Sequence, residues 1–302
     1  KASRRWGYFS KGIPENKAEI IVADGNFHGR TTTIVGFSSE ESYKKGFGPF
    51  CDGFVTADFC WSGCSKEKSI KSFKDKINKN TCAILVEPIQ GEGGINRSPK
   101  GFLKKLRLLC SENKVLLALD EVQTGIGRTG KLFAHQWADI IPDVMAIAKG
   151  LGGGFPIGAV VAKNKAALGM SPGTHGSTFG GNFLASSVAK SVISQVIERD
   201  FLDNVTKIAA VFLFINFFIS LIFPKGTLVK PFVFTPKPSL CFSLSPAARV
   251  PRVLPWKALL QTKISVLFSS PLLKWYFLHN LIVPSNASAP ELQKKTLSPN
   301  EF

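Results

Sequence analysis

Five short apolar runs, each closed by polar or small residues, constrain the fold of this chain more than any other feature. They are "EIIVADG" (19–25), "CAILVEPI" (82–89), "VLLALDEV" (115–122), "DVMAIAKG" (143–150) and "IGAVVAKN" (157–164). Their hydrophobicity is continuous rather than alternating, as a strand buried on both faces requires. Amphipathic or polar stretches lie between them, so the pattern predicts an α/β domain with a mostly parallel sheet flanked by helices. Residues 98–114 read as a crossover helix: Ser98 as the cap, Phe102, Leu106 and Leu109 on one face, and Asn113 as the stop. A second helix is predicted from Asn182 to Arg199, with Leu184, Val188, Val192 and Val196 as its apolar stripe. The opening "KASRRWGY" reads as the end of an amphipathic helix in a fragment that starts without Met, not as a targeting peptide.

The pattern breaks near residue 205. Residues 206–302 hold eleven lysines or arginines against two acids, Glu291 and Glu301, and so carry +9 of the chain's formal +17. The other 205 residues, with +8, have no concentrated basic tract, so nucleic acid is not expected as a partner. "IAAVFLFINFFISLIF" (208–223) is apolar for sixteen residues but is interrupted by Asn216. It falls short of the ~18–20 residues of a membrane span, and a membrane partner is not expected. Residues 224–302 are rich in proline and phenylalanine and lack periodicity. A membrane anchor and a buried helix with a loop-rich appendage are two readings of the whole segment. A change of reading frame or a mis-joined fragment accounts best for a simultaneous switch of composition, charge and period.

Six cysteines, at 51, 60, 64, 82, 110 and 241, show no pairing pattern and come after no secretory signal. A reducing compartment is expected, the cytoplasm of a bacterium or an organellar matrix. Cys60 and Cys64 are spaced C-x-x-x-C, but no histidine lies near them. They read as free thiols, and no metal site is expected.

The ends of the predicted strands carry the chemistry. Glu87, Asp120 and Lys149 each close one, and in an open parallel sheet ligands sit beyond the carboxyl ends of the strands. Asp120 is followed at once by a second acid, Glu121, and carboxylates in that position suggest function more than stability. An aspartate and a lysine at neighbouring strand ends suit pyridoxal phosphate: the amine would bond the aldehyde, and the carboxylate would pair with the pyridine nitrogen. A structural Asp120–Lys149 ion pair is the competing reading. "GLGGGFPIG" does not follow G-x-G-x-x-G and comes after the lysine rather than opening a helix, so a dinucleotide site is rejected.

Five segments together sharpen this: "NFHGRT" (26–31), "VEPIQGEGG" (86–94), "DEVQTGIGRTG" (120–130), "AKGLGGGFPIGA" (148–159) and "GTHGSTFGGN" (173–182). In order and spacing the series resembles the class III, fold-type I aminotransferases, over about residues 1–205. Residues 1–50 look more like ornithine-type members and residues 81–205 more like N-acetylornithine-type members. The resemblance implies a fold-type I large domain with pyridoxal 5′-phosphate as cofactor. It implies transfer of the terminal amino group of N-acetylornithine to 2-oxoglutarate, with ornithine as the alternative donor.

The same resemblance implies residue roles. Lys149 would bond the cofactor and then move the proton. Asp120 would hold the pyridine nitrogen, Gln123 would reach the phenolic oxygen, and Val122 and Phe27 would pack on opposite ring faces. Arg30 would form a fork for a substrate carboxylate. Glu92 would be a gate acid paired with an arginine, and Glu87 would support the site from behind. Thr178 would reach the cofactor phosphate of a partner subunit, which implies a homodimer. His28 and His175 read as structural. In this family a Ser-Gly-Ala/Thr phosphate cup would lie ahead of Lys1, and a small C-terminal domain would occupy the place of residues 206–302, where Arg249 and Arg252 do not align with its arginine. The rival from another class is an inactive basic or membrane-associated binding protein, favoured by residues 206–302 alone.

Overall fold

The computed structural model describes residues 1–59 and 65–222, with side chains as far as 213. Cys60, Cys64 and nearly all of the basic segment lie outside the described residues, which belong to one compact unit, Lys1–Lys230. In chain order the elements are α1 (Ala2–Phe9), β1 (Glu19–Ala23), α2 (Thr32–Val35), β2 (Phe54–Ala57), α3 (Lys66–Lys76), β3 (Thr81–Val86), β4 (Ile89–Gln90), β5 (Asn96–Arg97), α4 (Phe102–Glu112), β6 (Leu116–Asp120), β7 (Val144–Ile147), β8 (Ala159–Ala162), α5 (Asn164–Ala167), α6 (Phe183–Val196) and α7 (Arg199–Ile222). All five predicted strands are present. They join β2 in a six-stranded sheet of order β2-β1-β3-β6-β7-β8, parallel except for β8, which runs antiparallel to β7.

Both faces of β1, β3 and β6 are covered, which explains their unbroken hydrophobicity; β8, expected from its apolar run to be buried, is instead exposed at Ala159, Val160 and Val161 as the antiparallel edge strand. Ile21, Ile84, Val86, Leu117 and Leu119 face α3 and α4, where Phe73, Phe102, Leu106 and Leu109 complete one core. Ile20, Val22, Ala83 and Leu116 point the other way into a second core with Trp6 of α1 and Ala166 of α5. Burying a side chain of this size contributes about 1.5–3 kcal/mol, so the two cores dominate the folding energy.

Two helix expectations are corrected. Helix α4 starts after Gly101, not at Ser98: Gly101 is its N-cap with φ +80, and a turn closed by Phe102 N to Pro99 O (2.9 Å) occupies the residues before it. Only glycine adopts that backbone at no steric cost. Its predicted stop holds, with Asn113 as C-cap. Helix α6 is capped as expected by Asn182, whose Oδ1 accepts from Ala185 N at 2.9 Å. Its buried face, however, is Ala185, Ala189 and Val196, while Leu184 is 62% exposed. Of the predicted stripe, Val196 is buried and Val192 packs against the same core, whereas Leu184 lies outside it. Helix α7 runs unbroken across residue 205, where the composition changes. No helix among the described residues is long and apolar enough to cross a membrane.

Candidate active site

The strand order reverses at β1. From β1 the chain crosses outward to β2, then returns to the other flank of β1 as β3. The carboxyl ends of β1 and β3 therefore border a crevice of the kind in which open α/β sheets bind ligands. Two hydrogen bonds span it: Phe27 N, just past β1, donates to Glu87 Oε1, just past β3, at 3.0 Å, and Gln90 Nε2 donates to Asp24 O at 2.6 Å. Glu87 Oε2 accepts from Gly91 N at 3.0 Å. Burial pushes the Glu87 carboxyl above the usual carboxylate range, while the two backbone donors and His28 pull it back.

Asp120 ends β6, and its β7 partner in register is Ala146, three residues before Lys149. Asp120 Oδ1 accepts from Val122 N at 2.9 Å, and Oδ2 lies 2.7 Å from His28 Nδ1. A carboxylate only accepts, so Nδ1 carries the proton. His28 Nε2 is buried with no partner among the described residues. The competing Asp120–Lys149 ion pair is not formed. Lys149 Nζ makes no hydrogen bond or ion pair among the described residues, and the side chain is exposed at a cavity of ≈ 540 Å³ that Arg128, Gly153 and Phe155 also line. Lys149 has φ +46, a left-handed backbone that costs a non-glycine residue roughly 1 kcal/mol or more and that clusters at functional sites.

The remaining expected residues fall into three places. Gln123 Nε2 donates to Glu92 Oε1 at 3.1 Å, so Glu92 has Gln123 and no arginine as its partner among the described residues. A Cβ at Gly91 would overlap the Gln123 amide and displace it from its present position. Phe27 is half-buried and meets Tyr43 edge to face at 5.9 Å, and the Arg30 guanidinium lies over both rings. Thr178 stands exposed in the turn before α6 and makes no hydrogen bond among the described residues. Phe27, Glu87, Asp120 and Val122 are thus linked through backbone and histidine bonds. Gln123 and Glu92 form a separate pair, and Thr178 is apart from all of them.

Glu121 corrects the reading of the paired acids. It is fully buried and serves the fold: Oε2 accepts from the Thr124 hydroxyl and Ala134 N (3.0 Å), and Oε1 accepts from His135 N (2.9 Å) and His135 Nδ1 (3.0 Å). Burial raises its pKa, but these bonds outweigh it and hold the carboxyl below the usual range. Glu121→Gln faces an amide NH₂ to another donor in either orientation, so a stability loss of about 3 kcal/mol is expected. The stabilisation is present above the ordinary carboxylate pKa and is lost as pH falls through the lowered folded value. Denaturant melts from pH 7 to 3 should therefore bring wild type and variant together at the acid end. Equal stability at pH 7 would contradict the anchoring role. His28, read from the sequence as structural, is the side chain that meets Asp120; Tyr43 escaped the sequence reading and carried no signal.

The family model for "Aminotransferase class-III" matches residues 1–214. The chain belongs to the class III aminotransferase family. Ornithine aminotransferase of Staphylococcus epidermidis is 52% identical over 201 residues, which is 66% of this chain and 49% of that protein. The crystal structure of Toxoplasma gondii ornithine aminotransferase superposes with TM-score 0.65 at 37% identity, covering 70% of this chain and 49% of that one. Acetylornithine aminotransferase of Elizabethkingia anophelis superposes with TM-score 0.58 at 42% identity, over 70% of this chain and 50% of that one. The chain spans about half the length of the curated relatives it matches. Pyridoxal phosphate is the cofactor of this family, and a second Toxoplasma structure is described with partial occupancy of it at the active site.

Proposed function

We propose that the chain supplies the cofactor-binding half of an aminotransferase that moves the terminal amino group of ornithine to 2-oxoglutarate. The observation that carries this reading is the strand-end constellation: a half-buried aspartate held by His28 at the end of β6 and, just past the end of the neighbouring strand β7, Lys149, whose amine is unbonded among the described residues. The ornithine aminotransferases at 50–52% identity favour ornithine over the N-acetylornithine that the sequence motifs put first. The Elizabethkingia likeness keeps N-acetylornithine as the second reading.

The residues present fit pyridoxal phosphate. Bound, it supplies an aldehyde that takes up an amino group and a ring that accepts electrons. Lys149, whose Nζ has no competing partner among the described residues, would be the amine that holds the cofactor at its aldehyde and the group that moves the proton at the substrate carbon. Asp120, which accepts from a histidine N–H and a backbone N–H, would pair with the pyridine nitrogen. Val122 and Phe27 would pack against the ring, and the Gln123 amide would serve its phenolic oxygen. Arg30 receives a substrate carboxylate, and Glu92 acts as gate acid. Thr178 serves the phosphate of a second copy, for which Phe179 and Phe183, 80% and 93% exposed beside it, offer an apolar surface. On this reading residues 1–205 are the cofactor domain, and residues 206–302 stand in place of the family's small domain.

Steady-state assays with 2-oxoglutarate decide between the donors. A higher kcat/KM for ornithine than for N-acetylornithine is expected. The reverse order would replace the substrate assignment, and turnover of neither would overturn the proposed activity.

A further inference from the structure

Arg30 is exposed, and its guanidinium makes no hydrogen bond or ion pair among the described residues. Two aromatic rings locate it instead. Its central carbon lies 3.6 Å from the centroid of the Tyr43 ring and 5.4 Å from that of Phe27. The two rings meet edge to face, with an interplanar angle of 77°. A guanidinium stacked on a ring is held through its π face, while all five N–H donors lie in its plane and stay free. An ion pair would have fixed the arginine as well, but it would have consumed those donors and cancelled the charge.

We infer that Tyr43 is a positioning residue for carboxylate recognition: its ring holds the Arg30 fork in place, with donors unspent, for the carboxylate of an amino-acid or 2-oxo-acid substrate. The inference deepens the proposed function and rests on its reading of Arg30. The ring acts through stacking, so the phenol hydroxyl is dispensable. The loop does not depend on the ring either. The 3-10 turn Glu41–Tyr43 is capped by Glu40, whose carboxylate accepts from Ser42 N at 3.1 Å, and is braced by the Lys44–Glu41 ion pair. Removing the Tyr43 side chain should therefore leave the turn in place.

The test is a calorimetric titration of the full chain, loaded with pyridoxal phosphate, with glutarate, a dicarboxylate that lacks a reacting carbonyl. Tyr43→Ala should weaken binding about three- to tenfold, the range expected for loss of one cation–π contact at a partly exposed site, and Tyr43→Phe should restore it. Arg30→Ala should weaken it at least as much, with far-UV circular dichroism unchanged in all three. In turnover assays the Tyr43→Ala effect should fall on KM for the carboxylate substrate rather than on kcat. If Arg30→Ala binds glutarate like wild type, or wild type does not bind it, the reading of Arg30 fails and the inference fails with it. If Arg30→Ala is weakened while Tyr43→Ala is not, the role of Tyr43 alone is overturned. If Tyr43→Phe is as weak as Tyr43→Ala, ring stacking is not the cause.

Discussion

Lys149→Ala is expected to leave no pyridoxal phosphate covalently attached after borohydride reduction, whereas wild type gives a single modified peptide containing residue 149. The effect should be all or none, because the bond to the cofactor aldehyde needs a primary amine, and Lys149, just past the end of β7, is unbonded among the described residues. The fold should survive. The side chain is exposed, and alanine removes no packing from the neighbouring core of Ile126, Met145, Ile147 and Leu151. Alanine inherits the strained backbone at φ +46, so a small change in melting temperature is compatible with this expectation. Mass spectrometry of the reduced protein gives the answer. A reduced adduct on any other lysine would remove Lys149 from its role and, with it, the pairing with Asp120.

Asp120→Asn is expected to slow proton transfer at the substrate carbon by roughly a hundred- to a thousandfold or more while cofactor loading persists. The carboxylate accepts twice, from His28 Nδ1 and from Val122 N. An amide can serve only one of these donors with its oxygen and presents NH₂ to the other. It also brings no negative charge to keep a proton on the pyridine nitrogen. Single-turnover consumption of the amino donor measures the chemical step, and the cofactor's absorbance band checks loading. Near-normal turnover in the variant would dismiss the electrostatic role. His28→Ala should reproduce part of the loss, because the aspartate then keeps only its backbone donor.

Much of the sheet was legible in the sequence alone. The strands could be read because the central sheet is buried on both faces, which leaves no polar position to interrupt them. The exceptions are instructive. Strand β2 has only Ala57 buried, and "FVTA" is not among the strands read from the sequence. Helix α3, "KEKSIKSFKDK", buries only Ser69 and Phe73, so its charges hid its apolar face. The stripe assigned to α6 held at Val192 and Val196 but missed Ala185 and Ala189, because hydrophobicity alone ranks leucine and valine above alanine.

The sequence by itself determined the class of fold, the family and the positions of the residues at the strand ends, because each is encoded locally by an apolar run and the polar residue that stops it. What only the tertiary structure decided is which of those residues act together. Asp120 and Glu121 are neighbours of identical charge type, yet alternation along the chain sends one to the crevice and His28 and the other into a closed ring of donors around residues 134 and 135. His28 and Asp120 are 92 residues apart, and Arg30 meets Tyr43 across a loop with no motif of its own. Such partnerships are set by the strand order that brings distant loops to one edge of the sheet, and a linear pattern of residues carries no distance between them.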